Sequence, residues 1–174
     1  MRVVAGTARG RRLAAPAGNA TRPTSDRVRE ATFNALDSLG AVRGAEVLDL
    51  FAGSGALGIE ALSRGASRVT FVDNDPRALT VVRANLGATG LADAARVVRS
   101  DALRFLAEAR RVFDLVLLDP PYRLDDESWG RLLAAVAAKV VVLESDRPIE
   151  VSPDWEVLRS KRYGSTVVDL VRSR

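Results

Sequence analysis

From residue 47 onward, short runs of Val, Leu and Phe alternate with longer stretches whose apolar positions recur every three or four residues. The runs at 47–51, 68–73, 95–100, 113–119 and 140–144 predict buried parallel strands, because a strand covered on both faces loses its in–out alternation. Helical spacing predicts helices over 56–64, 77–86, 102–109 and 127–138. Boundary residues agree. Gly65 follows Arg64 where a helix needs a left-handed residue, and Asp75-Pro76 offers an N-cap followed by proline at the first helical position. Strand and helix in strict alternation imply right-handed crossovers, hence an α/β, doubly wound, Rossmann-like sheet. The end of the chain differs: 155–162, the turn Tyr163-Gly164-Ser165 and 166–171 predict an antiparallel hairpin at one sheet edge.

Upstream, 2–5 and 11–13 around Gly6-Thr-Ala-Arg-Gly10 predict a small basic β-hairpin, followed by a loop over 14–24 containing Pro, Gly and Asn. Asp26 is expected to cap a helix over 27–39, with Val28, Ala31, Phe33, Ala35 and Leu36 as its apolar side. No repeat, low-complexity tract or linker interrupts the pattern. The chain reads as one domain over 1–174, with a basic N-terminal extension (1–40) and a catalytic core (41–174). Its 174 residues suffice for a sizeable core.

Charge and composition narrow the chemistry. Arg2, Arg9, Arg11, Arg12, Arg22, Arg27 and Arg29 against Asp26 and Glu30 give residues 1–30 a net charge of +5, while the whole chain carries +4 and the remainder therefore −1. A basic end on a near-neutral body fits a polyanion. Lys139 and Lys161 are the only lysines, an arginine bias that points to a high-G+C genome. The absence of cysteine removes disulfides, thiolate metal sites and thiol nucleophiles, including those of cytosine-C5 methylation. The absence of histidine removes the usual neutral-pH base and the commonest metal ligand, so no metal is expected. No apolar run reaches the ~20 residues of a spanning helix, and Met1-Arg-Val-Val-Ala-Gly6 lacks a signal-peptide core. A cytoplasmic protein without membrane contact is expected.

Two segments carry the candidate chemistry. In Val47-Leu-Asp-Leu-Phe-Ala-Gly-Ser-Gly-Ala-Leu-Gly58, residues Gly53, Gly55 and Gly58 match the dinucleotide fingerprint G-x-G-x-x-G, and Asp73 lies twenty residues after Gly53. On that pattern NAD is a serious reading. Asp49 argues against it, since a carboxylate at the loop mouth repels a pyrophosphate. S-Adenosylmethionine has no phosphate and carries a sulfonium and an ammonium group, which an acidic strand end attracts. Asp73 is then expected to accept hydrogen bonds from the ribose hydroxyls, and Asp101 to meet the adenine amino group. Phe51, Ala52, Ser54, Asn74 and Ala102 flank these positions and complete the expected cofactor contacts. Three carboxylates at successive strand ends also fit the place where open α/β sheets bind ligands.

The second segment is Val116-Leu-Leu-Asp-Pro-Pro-Tyr122, a buried strand running into Asp119-Pro120-Pro121-Tyr122. An exocyclic amine on a base is a poor nucleophile because its lone pair is delocalised into the ring. Asp119 can accept one of its N–H bonds and the Pro120 carbonyl the other. Two acceptors on a rigid turn aim the lone pair by preorganisation. Tyr122 offers a face on which a splayed-out base can stack. No strong base is required before attack, because the amine becomes acidic only as the new bond forms. Arg9, Arg11, Arg12 and Arg22 are the candidate contacts to RNA phosphates.

On these residues the chain resembles the class I S-adenosylmethionine-dependent methyltransferases. More narrowly, it resembles the bacterial 16S ribosomal RNA guanine-N2 methyltransferases of the RsmD type. The likeness extends over Gly6-Thr-Ala-Arg-Gly-Arg-Arg-Leu13, Thr21-Arg-Pro-Thr-Ser-Asp-Arg-Val-Arg-Glu30, the glycine loop and Asp-Pro-Pro-Tyr. It implies methylation of one guanine at N2 in 16S rRNA, with the 30S subunit as substrate and a monomeric enzyme. It carries cofactor contacts to Asp49, Gly53, Asp73 and Asp101, and catalysis to Asp119, Pro120 and Tyr122. Other classes share parts of the pattern. DNA adenine-N6 or cytosine-N4 methyltransferases share both motifs but need a target-recognition region, and only 52 residues follow Tyr122. A glutamine methyltransferase typically has Asn at the position of Asp119. A non-catalytic RNA-binding module has no use for the cofactor carboxylates, and a NAD oxidoreductase leaves Asp-Pro-Pro-Tyr unexplained.

Overall fold

The computed structural model describes residues 1–16, 25–120 and 124–174. Helix α1 spans Asp26–Ser38, and the core then alternates β1 (Glu46–Leu50), α2 (Ala56–Ser63), β2 (Arg68–Asp73), α3 (Pro76–Thr89) and β3 (Ala95–Arg99). It continues through α4 (Ala102–Ala109), β4 (Phe113–Leu118), α5 (Asp126–Ala135) and β5 (Ala138–Ser145), and ends in β6 (Trp155–Tyr163) and β7 (Thr166–Ser173). The seven strands form one sheet in the order β3-β2-β1-β4-β5-β7-β6. β3 through β5 pair in parallel, and β7 pairs antiparallel with both β5 and β6. The strand order reverses between β1 and β4, the switch point at which such sheets open a crevice.

Alternate residues of the central strands feed two cores. Val47, Val69, Phe71, Leu115 and Leu117 pack on the side of α1, α2 and α3. Leu48, Leu50, Val72, Val116 and Leu118 pack with residues of α4 and α5, including Phe105, Trp129 and Leu132. The central strands are thus covered on both faces, which is why they read as continuous apolar runs.

From residue 26 onward the predicted helices and strands are all present, with differences at their ends, whereas the hairpin strands expected over 2–5 and 11–13 are reduced to a single bridge. Ser25, not Asp26, caps α1, its side chain accepting from Val28 N at 3.2 Å. Arg29 and Thr32 lie within the buried face of α1 where Ala31 was expected, and Ala31 is only half-buried. Helix α5 stops at Ala135, three residues early, because Ala138 already pairs with Phe113 as the first residue of β5. The cap at Asp75-Pro76 is as expected, Asp75 accepting from Arg77 N at 2.8 Å.

The N-terminal segment turns back on itself without forming regular strands. One antiparallel bridge joins Arg2 and Arg12, supported by Val3 N to Arg11 O and Leu13 N to Met1 O, both at 3.0 Å. What fixes it is a buried polar clamp on α2. The Glu60 carboxylate, fully buried, accepts from Val4 N at 2.8 Å and Ala5 N at 3.0 Å. Arg64 Nε donates to it at 2.8 Å, and the buried Arg29 guanidinium lies 3.6 Å away while also donating to the Arg2 carbonyl. Ser63 receives Thr7 N on its carbonyl at 2.8 Å and Ala8 N on its hydroxyl at 3.0 Å. Further on, buried Asn85 of α3 accepts from Ala14 N at 2.8 Å and donates to the Ala14 and Ser54 carbonyls. Glu60, Arg29, Ser63 and Asn85 each satisfy a backbone donor or acceptor of the N-terminal segment, and Arg64 adds a charge partner to Glu60.

Candidate cofactor and active site

The first βα turn has the geometry its glycines predict. Phe51 takes a left-handed conformation (φ 69°), uncommon for a bulky residue and found mainly where the surrounding structure enforces it. Phe51 N and Ala52 N both donate to Val72 O at 3.0 Å, which ties the loop to β2. Gly53 (φ 54°) and Gly55 (φ 77°) adopt positive φ, and Gly55 caps α2. Gly58 serves packing instead. A Cβ there would stand 2.3 Å from Phe71 Cε1 and 2.9 Å from Asp49 Oδ2, so only glycine lets α2 lie this close to the sheet.

Beneath this loop sits Asp49. Its register partners are Phe71 on β2 and Leu117 on β4, and the residue is only 2% exposed. Its Oδ2 accepts from Gly58 N at 2.9 Å, and no basic side chain pairs with it among the described residues. Burial raises its pKa from 3.8 to about 7; the Gly58 N–H opposes that shift and the neighbouring Asp73 charge adds to it.

One residue past the Leu50–Val72 and Leu50–Leu118 pairs, Phe51, Asp73 (the last residue of β2) and Asp119 fall in one row across the carboxyl edge of the sheet. With strands ~4.8 Å apart, Asp73 and Asp119 flank β1 at a separation of roughly 10 Å. Asp73 is half-buried and organises the loop: Oδ2 accepts from Gly53 N and Oδ1 from Asp75 N, both at 2.9 Å. Each oxygen keeps a lone pair for a further donor. Asn74 beside it is exposed. Asp101 follows β3 and caps α4 by accepting from Arg104 N at 3.2 Å. It borders a cleft of about 500 Å³ between β3 and α4, lined in part by Val98 and Phe105, and buried Ala102 lies next to it.

Asp119 and Pro120 leave β4 half-buried at the switch point, adjacent to β1 and β5. The expectations for Pro121 and Tyr122, and for Arg22, lie outside the described residues. The arginines of the N-terminal turn are exposed but divide along it. Arg12 bridges Arg2, whereas Arg9 follows Thr7, which is held at Ser63, the last residue of α2. Helix α2 begins at the glycine loop and its eight residues rise 1.5 Å each, so Arg9 is set back from the strand ends by about 12 Å. Among the described residues no cluster of acidic side chains could hold a metal ion, and no helix is long and apolar enough to cross a membrane.

Sequence reasoning passed over Glu60 and Asn85 and counted Arg29, which is buried, only among the charges of the basic N-terminal end. A signal was available for each: all lie within apolar stripes of their helices, where an uncompensated polar group would be costly.

The sheet order, the antiparallel β7, the glycine loop and the acidic strand ends define a class I methyltransferase fold. The chain belongs to the family described as Conserved hypothetical protein 95, which matches residues 1–172 and includes the ribosomal RNA small subunit methyltransferases D. The Ribosomal RNA small subunit methyltransferase D of Escherichia coli (strain K12) is 39% identical over 98% of this chain and 88% of its own length. The solved structure of the hypothetical protein TTHA0928 of Thermus thermophilus superposes with a TM-score of 0.85 at 35% identity, covering 99% of both chains. The fold is also that of SMU.776, crystallised in complex with SAH, at a TM-score of 0.72 and 17% identity over 88% of this chain and 50% of that one.

Proposed function

We propose that this chain is an S-adenosylmethionine-dependent methyltransferase that modifies the exocyclic N2 amino group of one guanine in 16S rRNA, with the 30S subunit as substrate. The observation that carries the reading is Asp49, a buried carboxylate without a cationic partner among the described residues, under a glycine loop. A pyrophosphate would add like charge to that position, whereas a ligand with ammonium and sulfonium groups supplies the missing positive charge. Asp73 offers the remaining lone pairs of its two oxygens to the ribose hydroxyls, and its hold on Gly53 N keeps the loop in place before the ligand arrives. Asp101 and Ala102 border the adenine.

The cofactor, when bound, supplies an electrophilic methyl group on sulfur. The protein's own contribution is to the acceptor. Asp119 receives one N–H of the target amine and the Pro120 carbonyl the other, so that the nitrogen is held with its lone pair toward the methyl carbon. Pro121 and Tyr122, outside the described residues, complete the Asp-Pro-Pro-Tyr motif, and the role of Tyr122 in this reading is to stack on the splayed-out base. The methylated nitrogen, now acidic, passes its proton to solvent water, a step that needs no histidine. Arg9, Arg11, Arg12 and Arg22 contact phosphates, with Arg9 meeting RNA at a distance from the target base. The names of the relatives support rRNA as substrate; guanine N2 rests on the resemblance in the motifs.

The test is to supply labelled cofactor together with 30S particles, naked rRNA, DNA or protein, then digest and identify the modified nucleoside. The expected result is N2-methylguanosine at one position in 30S RNA. Label in DNA adenine or cytosine, or in protein, would overturn the substrate assignment.

A further inference from the structure

The N-terminal arginines account for only one basic surface, and Arg9, at the tip of their turn, is set back from the reacting end. The C-terminal hairpin lies at that end. β5 runs parallel to β4 and finishes at Ser145, which pairs with Val167 near the start of β7. The turn at Gly164-Ser165 that joins β6 to β7 therefore stands beside the carboxyl edge that carries Asp73 and Asp119.

The strand leading into this turn is cationic. Arg159, Lys161 and Arg162 are all exposed. Among the described residues no carboxylate pairs with any of the three; Arg162 Nη1 donates to the Asp146 carbonyl at 3.3 Å, and the Asp146 carboxylate is engaged by Arg147 at 3.2 Å. Lys161 Nζ sits 5.2 Å from the centre of the half-buried Tyr163 ring, a cation–π contact that holds the ammonium near the turn. Register places Arg159, Lys161 and Tyr163 opposite Leu170, Val168 and Thr166, so these three share one face of β6. Leu170 and Val168 belong to the core of the α1–α3 side, which makes this the face that also carries the N-terminal turn. Among the described residues β6 pairs only with β7, and no strand covers its outer edge.

We propose that the end of β6, through Arg159, Lys161 and Arg162, is a second RNA-docking surface that grips phosphates flanking the target nucleotide. The proposal rests on the functional reading above and adds a site to it. β6 lies three strand spacings from β4, roughly 14 Å, a distance that a few nucleotides of RNA cross. A base inserted at Asp119 would leave its flanking backbone passing over β5 and β7 toward this strip. Cations beside an aromatic ring suit single-stranded RNA, where phosphate contacts set register and rings support the strand. Charges on an edge strand also discourage sheet-to-sheet pairing, and the experiment separates that role from docking.

The variant Arg159→Gln/Lys161→Gln/Arg162→Gln is compared with the parent and with the charge-keeping Arg159→Lys/Arg162→Lys. Binding to 30S particles is measured across a salt series, methyl transfer is measured for KM and kcat, and cofactor affinity serves as the control for folding. The expected result for the Gln variant is a KM for 30S raised by about tenfold or more, with cofactor affinity unchanged. Its salt slope should be shallower by about two units, and the Lys variant should stay near the parent. Parental KM and parallel salt slopes in the Gln variant would overturn the proposal and leave only protection of the edge. A parent that binds 30S particles in a salt-dependent way yet methylates no RNA would overturn the functional reading instead, and the slopes would still decide this surface.

Discussion

Replacing Asp49 by Asn should make the cofactor-free protein more stable and the cofactor-bound complex weaker. Asn keeps an oxygen to accept from Gly58 N, at nearly the same volume, so the substitution mainly removes the charge. A pKa of about 7 against 3.8 for the unfolded chain means that the native state retains a proton that the unfolded state has lost. The stability associated with this group is therefore fully present below pH 3.8 and lost progressively as pH rises to about 7. At 1.36 kcal/mol per tenfold change in proton affinity, the whole interval amounts to about 4 kcal/mol, of which roughly 2–3 kcal/mol falls between pH 5 and pH 8. Above pH 7 the Asn variant, which escapes the whole of that roughly 4 kcal/mol, should melt higher than the parent by about 8–16 °C, given roughly 2–4 °C per kcal/mol for a chain of this size. The difference should shrink steadily toward pH 5. Urea unfolding of both proteins across that range is the assay, run without cofactor. Parallel stability–pH curves would refute the reasoning, because Asp49 would then be ionised at no cost. In the same proteins, calorimetry should find S-adenosylmethionine binding weakened in the Asn variant, since the carboxylate that its cationic groups neutralise is gone.

Three further outcomes follow from the geometry. Gly58→Ala should cost about 1–3 kcal/mol by forcing a methyl group against Phe71 and Asp49, read as a lower urea midpoint and weaker cofactor binding. Glu60→Ala should destabilise the fold by about 3–5 kcal/mol, because it takes this carboxylate away from the buried Arg29 guanidinium and from two backbone N–H groups; an unchanged midpoint would mean that the clamp is dispensable. Asp73→Ala should weaken S-adenosylmethionine by roughly tenfold to a hundredfold in calorimetry, whereas tight NAD binding by the parent would contradict the cofactor assignment.

What the sequence disclosed follows from how local each signal is. β1, β2, β4 and β5 were legible because a strand covered on both faces is apolar throughout, β3 at the sheet edge showed only through Val97-Val98, and Asp75-Pro76 marked a helix start on its own. The end of α5 was not legible, since the apolar run across residues 132–138 fits helix and strand equally and only pairing of Ala138 with Phe113 decides. The cap of α1 went to Asp26 rather than Ser25 because both side chains can cap, and which one bonds Val28 N depends on backbone direction. At the candidate site the acidic strand ends were visible as residues, but their roles depend on the fold. Asp49, inside β1, is buried whereas Asp101, two residues past β3, is an exposed cap, and the sequence shows both only as acidic residues near a strand end. The clamp of Glu60, Arg29 and Asn85 joins segments 27 to 71 residues apart, a distance over which spacing says nothing. The same limit hid the position of Arg9, because charge counted along a chain does not say which end of α2 a turn will reach.

The central claim is that Asp119 acts on the acceptor amine while the carboxylates nearer β1 and β2 serve the cofactor. The most direct measurement is single-turnover methyl transfer to 30S RNA by Asp119→Ala, with cofactor affinity determined on the same preparation. The account predicts a rate lower by about a hundredfold to a thousandfold, with S-adenosylmethionine affinity within a few fold of the parent, because the lost acceptor works on the target amine in the transition state. A variant that transfers methyl groups at near the parental rate would contradict it.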